Sequence, residues 1–114
     1  MKIEAIYDMA HNCGDYYEII CIDRDSKDIY IHSNDFTLRI IIDRNSYKGH
    51  EIDDVINEII MSLELLSKAT HGCYVYPANT LKNILESAYI ITVEQLSDEE
   101  AEKLEDMIMW YYIL

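Results

Sequence analysis

The sequence predicts an α+β fold: an N-terminal four-stranded antiparallel meander with two to three helices packed on one face. Three observations carry this reading. Between residues 2 and 43, apolar and polar residues alternate in short runs separated by polar turns. From residue 51 to 68 the apolar period lengthens to that of a helix. A capping box at Ser97 and Glu100 then opens a last helix. The chain has 114 residues and shows no repeat, linker or low-complexity segment, so it reads as a single domain, 1–114.

Each element has its own signal. In residues 2–7, Ile3, Ala5 and Tyr7 fall on one side and Glu4 on the other, the period of a strand. Residues 8–15 carry Asn12 and Gly14 and form a loop. Residues 16–23 (YYEIICID) are aromatic and β-branched, a strand buried on both faces. After the polar turn Arg24-Asp25-Ser26-Lys27, residues 28–32 resume the strand pattern. Ser33-Asn34-Asp35 turns the chain into residues 37–43, where Leu38, Ile40 and Ile42 alternate with polar positions. Short connections between consecutive strands imply antiparallel pairing.

A loop holding Gly49 leads to the helix at 51–68, whose stripe is Ile52, Val55, Ile56, Ile59, Ile60, Leu63 and Leu66. Residues 69–77 are irregular, with room for a short strand at 74–76. Pro77 opens a second helix running through Ala88. Residues 89–93 (YIITV) are either a fifth strand or an apolar linker. In the last helix Ala101, Leu104, Met107, Ile108 and Tyr111 form the core stripe.

Charge is the strongest compositional feature: 22 acidic residues against 9 basic give a net charge of −13. A net charge of ~2–8 keeps a small domain soluble, so this excess calls for a use. Such a surface repels nucleic acid and anionic membrane and attracts basic proteins. The lysines and arginines are scattered, which excludes direct nucleic-acid binding. Cys13, Cys21 and Cys73 cannot all pair within one chain, and no apolar leader opens the sequence. The longest apolar run, 107–114, falls far short of the ~20 residues that cross a bilayer. A soluble, cytoplasmic protein with reduced thiols is expected.

Motifs for chemistry fail one by one. His11-Asn12-Cys13 and His71-Gly72-Cys73 offer zinc-type ligands, but their separation fits no common zinc module, and no base or oxyanion site accompanies a Cys–His nucleophile. The segment from Asp23 to Asn34 resembles a calcium loop only at its start. Lys27 stands where an oxygen ligand belongs and Asp28 where glycine is needed. No phosphate-binding loop or hydrolase motif occurs. The expectation is a protein that is not an enzyme and holds no metal or cofactor.

Two features exceed what a fold requires. Asp53, Asp54, Glu58 and Glu64 lie on the outer face of the central helix, and Glu99, Glu102, Glu105 and Asp106 crowd the last one. Helix neighbours at i, i+3 and i+4 stand ~5–6 Å apart, a spacing comparable to phosphates along a nucleic-acid strand. Surplus apolar residues follow: Met61 and Leu65 on the central helix, and Met109, Trp110 and Ile113 on the last. A second buried layer or a homodimer seam accounts for these better than a partner pocket does.

In charge, length and α+β pattern the chain resembles the small acidic inhibitors encoded by phages and mobile elements, including anti-CRISPR proteins that mimic DNA. The resemblance implies an inhibitor that binds a basic protein and blocks its nucleic-acid channel, with those eight carboxylates as the contact residues. The central helix is the favoured surface, because its long apolar stripe should hold it rigidly. An immunity protein or antitoxin neutralising a basic toxin, and an acidic homodimeric accessory protein, are the alternatives. Free DNA or RNA should show no mobility shift with the purified protein, and a shift at low salt would refute this reading of the charge.

Overall fold

A computed structural model describes residues 1–9, 16–69 and 76–113. Four strands come first: β1 (Ile3–Met9), β2 (Glu18–Asp23), β3 (Ile29–Ser33) and β4 (Thr37–Ile42). Then follow α1 (Ile52–Ala69), α2 (Ala78–Ala88), β5 (Ile91–Gln95) and α3 (Asp98–Ile113). The strands form one antiparallel sheet in the order β1-β2-β3-β4-β5. The α+β class and the N-terminal meander are therefore as the sequence predicts. The segment 89–93 resolves in favour of a fifth strand, paired so that Ile40 faces Val93 and Ile42 faces Ile91. The short strand considered at 74–76 falls largely outside the described residues.

Alternation along the strands separates two apolar clusters. On one face Ile20, Ile22, Ile29, Ile31, Leu38 and Ile40 meet Val55, Ile56, Ile59, Ile60 and Leu63 of α1 and Leu81 and Leu85 of α2. On the other, Cys21 and Tyr30 meet Leu104 and Ile108 of α3, with Ile3, Ile6, Ile19 and Leu96 around them. Two helices thus share one face, within the expected number, while α3 covers the opposite one. The reason lies in β2 and β3. Their side chains are apolar at consecutive positions, so each of the sheet's faces needs a cover. Burial of β2 on both sides is what its composition predicts.

Polar side chains hold the turns. Between β2 and β3 the Asp23 carboxylate accepts from the Asp25 N–H (3.1 Å) and the Ser26 hydroxyl (2.9 Å). Those contacts make the acidic stretch a hairpin turn. Lys27 takes the left-handed conformation, φ 63°, at its end. Its ammonium reaches Glu4 on β1 (2.9 Å) and Asp53 at the start of α1 (3.4 Å). Ser97 and Glu100 form the expected capping box. The Ser97 hydroxyl accepts from the Glu100 N–H (3.2 Å), and Glu100 Oε1 accepts from the Ser97 N–H (3.3 Å).

The two sheet edges differ. On β5 the outward Val93 N–H donates to Glu86 Oε2 of α2 at 2.9 Å, which blunts that edge against further pairing. No side chain among the described residues caps β1 in this way. Its ladder to β2 is interrupted between Ile3 and Ala5 and regular from Ala5 to Met9.

Arg39 ties three strands together. Its Nη2 and Nε donate to Asp28 Oδ2 at 2.6 and 2.8 Å, and its Nη1 lies 3.2 Å from Glu94 Oε1 on β5. The Asp28 side chain is buried, so removing its partner strands a desolvated carboxylate. Arg39→Ala should cost roughly 1–3 kcal/mol in denaturant unfolding, and Asp28→Asn/Arg39→Met should recover part of the loss.

Candidate functional site

The eight carboxylates singled out by their spacing are not brought together. Those of α1 and those of α3 lie on helices covering opposite faces of the sheet. They form two surfaces on a slab whose Cα extents are 43 × 33 × 22 Å.

On α1, five residues of the apolar stripe are buried, which anchors the helix along its length. Asp53, Asp54 and Glu58 are exposed and Glu64 is half-buried. The charge of Asp53 is partly neutralised by Lys27, whose two carboxylate neighbours stabilise its protonated form, Glu4 first. Asp54, Glu58, Met61 and Leu65 succeed one another at i, i+4, i+7 and i+11, all exposed. They form one continuous outer stripe that begins acidic and ends apolar.

The same order recurs on α3. Glu99, Glu102, Asp106, Met109 and Ile113 follow at spacings of three and four residues and are all exposed. Glu99 lies 3.8 Å from Lys103 across one helical turn, an exposed pair worth little. Asp54, Glu58, Glu102 and Asp106 have no basic partner among the described residues. The inner stripe of α3 is shorter than its sequence predicts. Leu104 and Ile108 are buried and Ala101 and Met107 half-buried, but Tyr111 is exposed, because little sheet remains beneath the last turns.

Glu105, with Glu102 beside it, belongs to a cleft that sequence periodicity does not reveal. The cleft, of ≈ 240 Å³, opens where the β3–β4 hairpin faces the first half of α3. His32 forms part of its floor and is buried. Its Nδ1 lies 2.8 Å from the hydroxyl of Thr37, its cross-strand neighbour. Its Nε2 lies 3.3 Å from the Tyr17 hydroxyl and 3.6 Å from Glu105 Oε2. Both ring nitrogens are engaged, so the ring is fixed in orientation. Asp35, Asp98, Glu102 and Glu105 line the cleft and no lysine or arginine does, so its mouth favours a cation. A histidine in a strand of apolar residues carries no periodic signal; only its register opposite Thr37 gives it a role.

His11, Cys13, His71 and Cys73 lie outside the described residues. Among the described residues, no group of three or more His, Cys, Asp or Glu is placed to hold a metal ion. Cys21 is wholly buried, and burial pushes its thiol up to about 12, leaving it an inert core residue. Also among the described residues, no helix is long and apolar enough to cross a membrane. No protein-family model, curated protein or solved structure matches this chain.

Burial lowers the pKa of His32 and Glu105 opposes that shift, with the net effect downward from 6.5. The folded state therefore binds the proton less readily than the unfolded chain does. This contribution to stability is fully present above the unfolded value and is lost as pH falls through the folded one. Denaturant stability should decline as pH drops below ~6.5. His32→Gln should flatten that dependence, and Glu105→Gln should lower the His32 midpoint further in an NMR titration.

Proposed function

We propose that this protein is an acidic binding module that enters the basic nucleic-acid channel of a nuclease or effector and blocks it. The observation that carries the reading is the placement of unpaired carboxylates on both broad faces of a thin slab. Asp54 and Glu58 project from one side, and Glu102 and Asp106 from the other. A channel that surrounds its nucleic acid presents basic groups on facing walls, and a slab acidic on both sides satisfies both walls at once. The rigid helices hold these charges at helical spacing, where an array of phosphates would lie. Reduced charge on α1, where Lys27 offsets Asp53, makes α3 the denser surface and balances the argument from anchoring that favours α1.

The second reading, an immunity protein or antitoxin, is supported by that density on α3. A toxin with one exposed basic patch needs only one acidic face.

Two double variants separate the readings: Asp54→Lys/Glu58→Lys on α1 and Glu102→Lys/Asp106→Lys on α3. DNA cleavage by a panel of CRISPR effector nucleases and other nucleases with basic channels would be measured with each. The channel reading expects wild type to inhibit a member of the panel in a salt-sensitive way. Each double variant should weaken that inhibition by about tenfold or more, with helical content unchanged by circular dichroism. Loss confined to one face favours the single-patch reading. Inhibition untouched by either variant, or no inhibition of any member, overturns the proposal.

A further inference from the structure

The C-terminal turns of α3 pose a problem that the acidic surfaces do not address. Met109, Trp110, Tyr111, Tyr112 and Ile113 are five consecutive helical residues, and all are exposed, by 42% to 72%. A helix lying on a sheet buries about half its circumference, so this segment must run beyond its support. The dimensions agree. The helix leaves β5 at one edge of the sheet and packs against β1 at the other. Its 16 residues span about 24 Å, whereas four inter-strand spacings amount to about 19 Å. Roughly the last turn overhangs β1.

Beneath the overhang lies the one sheet edge without a cap among the described residues. A groove of ≈ 620 Å³ joins the two features, lined by Lys2, Ile3, Met107, Trp110 and Tyr111. The apolar helix end therefore meets the start of β1, the strand whose outer edge has no cap among the described residues.

We propose that a second copy of this chain occupies that surface, forming a two-fold dimer through β1 and the C-terminal turns of α3. The axis stands normal to the sheet. β1 then pairs antiparallel with its counterpart along Ala5 to Met9, where its ladder is regular. The same operation keeps both α3 helices on one face and reverses their direction, so their apolar ends lie side by side and antiparallel. Charge selects this arrangement. The acidic residues Asp98 to Asp106 occupy the first half of each helix, and antiparallel pairing sends the two acidic halves to opposite ends of the dimer. A parallel pairing would stack them against each other.

The exposed parts of the five side chains amount to on the order of 500–600 Å² per copy, given 150–250 Å² for each aromatic. They surround the helix, so a neighbouring helix covers about half of them, and the two copies contribute roughly 500–600 Å² in total. The paired β1 edges supply the rest of the ~1,000 Å² expected of a specific interface. Trp110 lines the groove and is exposed, and tryptophan is among the residue types most often dominant in such contacts. Both outer acidic stripes remain free, so the dimer neither requires nor prevents the channel-blocking role.

Sedimentation equilibrium of the full chain over a wide concentration range tests the proposal. The mass should rise from 13.4 kDa towards twice that value. Added salt should strengthen the dimer, because it screens repulsion between two chains of net charge −13. That sign is opposite to the one expected for a complex with a basic partner, so the two proposals fail separately. Trp110→Glu should weaken the dimer by about 30-fold or more with circular dichroism unchanged, and Ile113→Glu should act in the same direction. Amides on the outer side of β1 should exchange with solvent more slowly as concentration rises. A mass of 13.4 kDa throughout, as expected if a different protein covers this face, overturns the proposal. So does a dimer that salt dissolves, or one that both glutamate variants leave intact.

Discussion

The structure depends on the apolar character of β2 and β3 on both of their faces. In β2, Ile20 and Ile22 point one way and Ile19 and Cys21 the other; in β3, Ile29 and Ile31 oppose Tyr30. A sheet with one wet face needs helices on one side only. These strands leave no face that water can cover cheaply, so the chain must supply a layer on each side. The pair α1 and α2 meets one demand and α3 the other. Their outer stripes, which carry most of the helical acid, therefore end up on opposite surfaces. The separation of the two carboxylate sets is a consequence of core composition, not of any property of the acids themselves.

That layering also governs how charge is distributed and what it costs. Among the described residues, the ion pairs between separate parts of the fold are Asp28 and Glu94 with Arg39, Glu4 and Asp53 with Lys27, and Glu105 with His32. Each of these contacts joins different elements, so the scarce basic groups serve as links within the fold. The remaining helical carboxylates face outward, and spreading them over two faces reduces the mutual repulsion that one crowded surface would suffer. Charge available for a partner is thus what remains after the structural links are made. Asp53 falls on the structural side of that division, and Asp54, Glu58, Glu102 and Asp106 on the other.

The sheet ends differently on its two sides, and this asymmetry follows from the order of the helices. Because α2 leads directly into β5, its Glu86 is delivered beside the outward N–H of Val93. No described side chain makes the same contact with β1. α3 reaches that side only from above and overshoots it. One edge is closed by Glu86, and the other has no such cap among the described residues and lies beside surplus apolar side chains.

Much of this was written in local sequence. The period-two runs, the stripe of α1 and the capping box of α3 each depend on residues a few positions apart, and such patterns survive translation into structure because burial acts on them locally. The exposed positions of Met61, Leu65, Met109, Trp110 and Ile113 were legible for the same reason. Periodicity leaves open which face of the sheet receives α3, since the helix is equally amphipathic on either side. That was decided by Cys21 and Tyr30, whose role depends on register with residues far along the chain. The fifth strand at Ile91–Gln95 is of the same kind: its short apolar run becomes a strand because β4 offers an edge to pair with. Only tertiary structure could bring His32, Tyr17 and Glu105 to one cleft, from β3, the residue just before β2, and α3. No spacing rule connects positions 17, 32 and 105, because their meeting depends on how α3 crosses a sheet that must be covered on both sides.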